Sequence, residues 1–117
     1  SWTQKGSNLS SIQDQEYFGE SVSISGDGSL VAVGAYDYDG SSSNSDGRAV
    51  LYKYSNSDWV QIFGTISGSS TGDRLGETVV LSPNGEVLSV GIRNLDYGSN
   101  SNVGAVRTFT DLETSGL

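Results

Sequence analysis

The sequence repeats itself once, with an offset of 57 residues. Trp59 lies 57 positions after Trp2, and the run F-G-E-S-V-S-I-S-G-D-G-S-L-V-A-V-G of 18–34 lies without a gap over L-G-E-T-V-V-L-S-P-N-G-E-V-L-S-V-G of 75–91. A fixed period of this size is typical of repeat proteins, in which each unit buries its apolar face against its neighbour. The 117 residues therefore hold two copies of one unit and exclude a second large domain.

Each copy is predicted to form four short strands. In the first complete copy they are expected at 18–25, 30–36, 49–54 and 59–66. Tight turns join the first two strands, because S-G-D-G in one copy and S-P-N-G in the other supply Gly, Asn, Asp and Pro where turns need them. After Gly47 and Gly104, G-R-A-V-L-Y and G-A-V-R-T-F align equally well with or without a one-residue slip.

The strand pattern predicts the fold class. The run from Leu30 to Ala35 is small or apolar on both faces, which indicates a sheet covered on both sides, and no segment has a sustained helical period. Four-stranded antiparallel sheets stacked face to face are propeller blades. We therefore expect an all-β chain of two four-stranded antiparallel β-propeller-type blades, with one outer strand exchanged between blades or protomers.

The repeat also predicts the boundaries of the units. Residues 1–16 are expected to form an outer strand that completes a preceding blade, followed by a loop, and 17–68 form complete blade 1. Residues 69–110 supply three strands of blade 2, and 111–117 are a tail.

Composition excludes several functions. The chain has no His and no Cys, so it lacks the usual general base, the Ser-His-Asp arrangement, disulfides and thiolate metal sites. We accordingly expect no enzymatic activity. A net charge of −8 disfavours nucleic acid as a partner, and no apolar stretch is long enough for membrane insertion. Without Met, the chain is expected to be a processed product or part of a longer polypeptide.

Several motifs recur in the order of a known repeat. Phe18-Gly19, the run V-A-V-G-A ending at Ala35, the later G-R-A-V-L-Y and the closing W-V-Q-I-F-G resemble the FG-GAP repeats of integrin-alpha-type β-propellers. The resemblance covers nearly the whole chain up to about Thr110, although Leu75 replaces Phe and Ile92 replaces a small residue in the second copy. It implies an extracellular or cell-surface protein.

Repeats of that family often bind calcium in a D-x-D-x-D-G-x-x-D loop between the first two strands of a blade. Here that hairpin holds only Asp27, or Asn84 in the second copy, so the family site is not carried over. A later loop with Asp37, Asp39 and Asp46 offers oxygen ligands at spacings that suit Ca²⁺, although a solvated polar loop is the preferred interpretation. Calcium is therefore possible, and no cofactor is expected to be required.

Aromatic and acidic residues give two further hypotheses. Tyr36, Tyr38 and Tyr97 follow second strands, where propeller loops bind ligands, and would stack on a carbohydrate in a lectin-like module. Asp37 and Asp39 lie two positions apart and suggest a glycosidase, the only enzyme class that the composition leaves open, which ranks third. Trp2 and Trp59 are expected to pack in the core of outer strands.

Asn8 begins the sequence Asn8-Leu9-Ser10, an N-glycosylation acceptor in a secreted chain. We therefore expect a glycoprotein if the chain passes through a eukaryotic secretory route.

The position of the repeat predicts self-assembly. Trp2 and Gln4 match Trp59 and Gln61, so the first residues read as the fourth strand of a blade whose other strands lie elsewhere. The second copy lacks this strand, and an unfilled edge binds a strand from a partner. The sequence thus predicts an extracellular structural or adhesive repeat protein that assembles head to tail with copies of itself into a propeller ring or a filament. The alternative is a calcium- or glycan-binding lectin-like module.

Overall fold

Seven strands form two antiparallel sheets in the computed structural model, which describes residues 1–10, 16–38, 46–68, 72–94 and 103–112. Sheet A has the order β1 (Ser21–Ile24), β2 (Leu30–Ala35), β3 (Arg48–Ser55) and β4 (Asp58–Ser67). Sheet B has the order β5 (Leu75–Leu81), β6 (Leu88–Ile92) and β7 (Ala105–Phe109). The described residues contain no helix, so the all-β prediction is confirmed.

The two sheets are built on one pattern. Gly34 of β2 pairs with Ala49 of β3, and Gly91 of β6 pairs with Val106 of β7. Both members of the second pair lie 57 positions after those of the first, so the repeat continues past Gly104 without the one-residue slip. The predicted equivalence of Gly34 and Gly91 is confirmed.

The first hairpin of each sheet closes on a side-chain oxygen. Asp27 Oδ1 accepts a hydrogen bond from the Ser29 N–H at 3.0 Å, and Asn84 Oδ1 accepts one from the Glu86 N–H at 3.1 Å. Each oxygen also accepts a hydrogen bond from the serine hydroxyl two residues earlier. These are Asx turns, in which Asp and Asn tighten the backbone through the same acceptor atom. The hydrogen bonds, those from Ser29 foremost, hold the pKa of Asp27 below its usual value.

The hydrophobic core lies between the sheets, where β1, β2 and β3 contact β5. Its buried members are Leu30, Ala32, Ala49, Leu51 and Ile66 from sheet A, and Leu75, Val79, Leu81, Leu88, Val90, Ile92 and Leu112 from the second copy. On the opposite face of β2, Val33 and Ala35 are also buried, at 3% and 0% exposure. The sheet is therefore covered on both sides there, as its apolar sequence predicts.

The sheets meet most closely at a backbone hook, defined here as Arg74-Leu75-Gly76. Arg74 and Gly76 have φ values of 59° and 99°, in the left-handed region. The hook places the Leu75 N–H 3.0 Å from the Asp46 carbonyl oxygen and forms a parallel bridge between Leu75 and Gly47. A methyl group on Gly34 would overlap the carbonyl oxygen of Gly76, so glycine is required at this contact.

We predict that Gly34→Ala destabilises the protein much more than Gly91→Ala. An added Cβ meets a side-chain hydroxyl at both positions, Ser21 Oγ or Thr78 Oγ1, but only at Gly34 does it also overlap backbone of the neighbouring sheet. Overpacking of this kind costs about 1–3 kcal/mol or more, because the sheets must separate. Urea unfolding of the two variants checks this, and equal midpoints would contradict the role given to the hook.

Candidate functional site

A buried ion pair lies at the end of sheet A where the loop after β2 begins. Arg48 donates from Nε to Glu16 Oε1 at 2.7 Å and from Nη2 to Glu16 Oε2 at 3.2 Å. Glu16 is 0% exposed and Arg48 6% exposed. The guanidinium carbon also lies 4.8 Å from the ring centroid of Tyr38 and 5.5 Å from that of Phe18. These contacts hold Arg48 in one orientation.

A second cluster joins the two sheets at the same end. The rings of Tyr17 and Tyr36 stack with centroids 5.5 Å apart, and the Arg74 guanidinium lies 5.5 Å from the Tyr36 centroid. Arg74 Nε lies 3.8 Å from Asp37 Oδ1. Arg74 therefore links the hook to the loop after β2 through a ring contact and an ion pair.

The candidate calcium ligands are only partly brought together. Asp37 Oδ1 is buried without a hydrogen-bond partner and shares its surroundings with the Arg74 cation. Asp46 is 5% exposed and uses its backbone oxygen to hold the hook. Asp39 lies outside the described residues. Within the described ranges, no group of three or more acidic side chains is placed to hold a metal ion.

Two of the three candidate carbohydrate contacts, Tyr36 and Tyr38, have partners within the chain. Tyr36 has Tyr17 and Arg74 at its ring, and the Tyr38 ring is faced by Arg48. Tyr97 lies outside the described residues. These contacts leave less ring surface for a sugar than the sequence suggests. Because Asp39 is not among the described residues, the Asp37 and Asp39 pair proposed for a glycosidase stays a hypothesis.

The first ten residues form no strand and run beside the outer edge of sheet A. The Ser7 N–H donates to Asp58 Oδ1 at 2.8 Å, and Trp59 Nε1 donates to the Lys5 carbonyl oxygen at 2.9 Å. The hydrogen bonds that Asp58 accepts, those from the Ser7 backbone N–H and the Trp59 backbone N–H foremost, keep the pKa of Asp58 below its usual value. Since the ionised carboxylate is the better acceptor, this anchor is lost as pH falls through that lowered pKa.

The two tryptophans differ in their packing. Trp59 of the outer strand β4 meets Tyr54 of β3 edge to face with centroids 5.1 Å apart, but it is only partly buried and is not a member of the hydrophobic core. Trp2 is 99% exposed, so the expectation that it packs in a core is wrong within a single chain. The reason is that no strand of the described residues pairs with the segment of Trp2. Gln4 and Asn8 are both exposed. Gln4 Nε2 donates a hydrogen bond to Asn8 Oδ1 at 2.8 Å.

Sheet B exposes one edge and one face. Among the described residues, no strand pairs with the outer edge of β7. Val103 and Val106 beside this edge are 52% and 69% exposed. They line an open groove of about 450 Å³ together with Thr78, Gly91 and Gly104.

The Glu16–Arg48 pair and the hook were not predicted from the sequence. A signal was present, because Glu16 and Asp73 lie 57 positions apart, as do Tyr17 and Arg74. Glu16 and Asp73 are both buried, with 0% and 3% exposure. The repeat therefore places an acidic residue at this position in both copies.

We predict that Glu16→Ala lowers the free energy of unfolding by about 3–5 kcal/mol, because it leaves the Arg48 charge buried without its carboxylate. Glu77→Ala is the matched control. Its partner Arg93 lies 3.4 Å away with a side chain 58% exposed, and such pairs contribute less than about 1 kcal/mol. Urea unfolding measures both, and similar losses would refute the structural role of the buried pair.

We predict that Ca²⁺ is dispensable for folding. The carboxylate of Asp27 is used to close a turn, and Asn84 fills its place in the second copy without a charge. Thermal melting with EDTA and with added Ca²⁺ should give the same midpoint. A large loss on chelation would instead indicate a site at Asp37, Asp39 and Asp46, which the triple Asn variant would abolish.

Comparison with known proteins gives one match, which covers part of the chain. No helix among the described residues has the length and apolar character needed to cross a bilayer. The sequence has no match among curated proteins. The family model described as FG-GAP repeat matches residues 10–52, which include β1, β2 and most of β3. Residues 10–52 therefore match an FG-GAP repeat.

Proposed function

We propose that this chain is a non-enzymatic structural or adhesive repeat module outside the cell, which assembles head to tail with copies of itself. In this assembly the segment around Trp2 and Gln4 leaves the edge of its own sheet A and pairs with β7 of a neighbouring chain. The result is a closed propeller ring or a filament.

The free edge of β7 supports this proposal most directly. In sheet A the fourth strand, β4, carries Trp59 and Gln61 and pairs with β3. In sheet B the equivalent place beside β7 has no strand among the described residues. Open edges with unpaired N–H and C=O groups bind added strands. The segment of Trp2 and Gln4 repeats the β4 pattern and exposes its tryptophan almost completely.

The size of the unit limits the assembly. Each chain contributes two sheets, and propellers have about four to eight blades. A ring therefore needs two, three or four copies, whereas a rotation between copies that does not close gives a filament.

The remaining parts of the proposal rest on sequence and family. Without His or Cys the chain lacks the common nucleophile and base pairs, which supports a binding rather than a catalytic role. FG-GAP repeats are typical of extracellular or surface proteins, which supports that location. An N-glycan at Asn8 stays a prediction for a chain secreted by a eukaryotic cell.

We predict that Trp2→Ala shifts the chain from oligomer to monomer, because the exchanged strand loses its aromatic anchor. Deleting residues 1–7 should have the same effect. Val60→Ala is the control, since Val60 is 50% exposed on β4 of the complete sheet and takes no part in exchange. Light scattering coupled to size exclusion measures the mass. A wild-type monomer at all concentrations, or an unchanged oligomer of Trp2→Ala, would rule out strand exchange.

A further inference from the structure

Each side of the contact between the two sheets has an equivalent surface, 57 positions away in the sequence, that is exposed on the outside of the chain. Sheet B docks on sheet A through Leu75, Gly76, Val79 and Leu81, which are all buried. The residues 57 positions earlier are Phe18, Gly19, Val22 and Ile24. With Tyr17, these form a surface called here the head face. Val22 and Ile24 are 63% and 58% exposed, whereas their counterparts Val79 and Leu81 are each 5% exposed.

The receiving side is also repeated. Sheet A receives the hook on Asp46, Gly47, Gly34, Ser21 and Ala49. Their counterparts in sheet B are Val103, Gly104, Gly91, Thr78 and Val106, which line the open groove of about 450 Å³. This surface is called here the tail groove.

We propose that the tail groove of one chain binds the head face of a second copy, with the Phe18-Gly19 backbone inserted as Leu75-Gly76 is inserted within the chain. This proposal deepens the head-to-tail assembly proposed above and defines its second contact, which is separate from strand exchange. The occupant of the tail groove is a second copy of this chain.

The head face already has the conformation that insertion needs. Tyr17 and Gly19 have φ values of 56° and 97°, close to the 59° and 99° of Arg74 and Gly76 in the hook. A Cβ on Gly19 would meet no atom within 4 Å, whereas one on Gly76 would overlap the Arg48 carbonyl oxygen. The head face is thus a preformed hook without a cradle, so binding requires little ordering of its backbone.

The tail groove keeps the polar groups that hold the hook within the chain. In the intrachain contact the Leu75 N–H donates to the Asp46 carbonyl and the Ser21 hydroxyl donates to the Gly76 carbonyl, at 3.0 and 2.9 Å. By the repeat, the Phe18 N–H of the second copy meets the Val103 carbonyl, and Thr78 supplies the hydroxyl for Gly19.

The proposed contact also repeats the cation–π pair at the hook, but the arginine and the tyrosine change sides. Within the chain, Arg74 of the second copy of the repeat lies against Tyr36 of the first. Their counterparts at the proposed contact are Tyr17 on the head face and Arg93 beside the groove. Tyr17 is 50% exposed, and the Arg93 side chain is 58% exposed. A cation–π pair therefore forms again across the two chains.

Two differences make the contact between chains weaker than the one within the chain. Ser23 accepts a hydrogen bond from the Leu81 N–H, whereas its counterpart Val80 has no hydroxyl. Gly26 donates its N–H to the Pro83 carbonyl, whereas its own counterpart is Pro83, which has no N–H. The contact between chains should therefore be reversible by dilution, while the two sheets of one chain stay together.

The test uses one charge on each surface. Val106→Asp blocks the tail groove and Val22→Asp blocks the head face, and both side chains are more than half exposed, so each variant should fold. Val60→Asp, on β4 outside both surfaces, is the control. Circular dichroism melting confirms folding, and light scattering with size exclusion measures mass.

We expect Val106→Asp and Val22→Asp to be monomers when separate and to form a 1:1 dimer when mixed, because each retains the surface that the other lacks. Val60→Asp should assemble like wild type. If both blocked variants assemble like wild type while Trp2→Ala does not, this inference is wrong and strand exchange stands. If the blocked variants are monomers while Trp2→Ala assembles, docking stands and strand exchange is wrong. A wild-type monomer at every concentration would overturn both.

Discussion

The close approach of two backbones at the hook determines how the rest of the molecule is arranged. Leu75 and Gly76 lie against Gly34 and Gly47 with no room for a Cβ on either glycine of sheet A. Two sheets normally pack about 10 Å apart through their side chains. Here the backbone of one sheet meets the backbone of the other at the hook, so the sheets approach closely there and the core side chains fill the remainder. The left-handed backbone at Arg74 and Gly76 and the hydrogen bond from Leu75 to Asp46 hold the hook in this position.

Charged residues act mainly as supports for this arrangement. Arg74 carries the left-handed turn of the hook and reaches Asp37 across the two sheets. Arg48 lies next to the cradle, and its charge is neutralised by the buried Glu16. Both cations also contact aromatic rings. Asp37 and Tyr36, which suggest a ligand site in the sequence, thus contact Arg74 of the second repeat unit.

How far the sequence predicts the structure depends on the range of each interaction. Strands β1 to β4 follow from short apolar runs and from turn residues such as Asp27, so they were predicted within a few positions. The ion pair of Glu16 with Arg48 spans 32 positions and depends on the fold, so composition gives no sign of it. Trp2 was predicted to pack in a core because it recurs at the position of Trp59 in the repeat, but packing requires a neighbouring strand that sequence periodicity alone does not supply. Repeat equivalence therefore predicts conformation better than it predicts burial.

The shared core has a consequence for how the protein unfolds. Leu30, Ala32 and Leu51 of sheet A are buried together with Val79 and Leu81 of sheet B. Separation of the sheets would expose both sets of side chains to water at once, so neither sheet retains a core of its own. The two units consequently behave as one foldon despite their similar sequences, and amide protons in β2 and β6 should exchange with solvent through the same global opening.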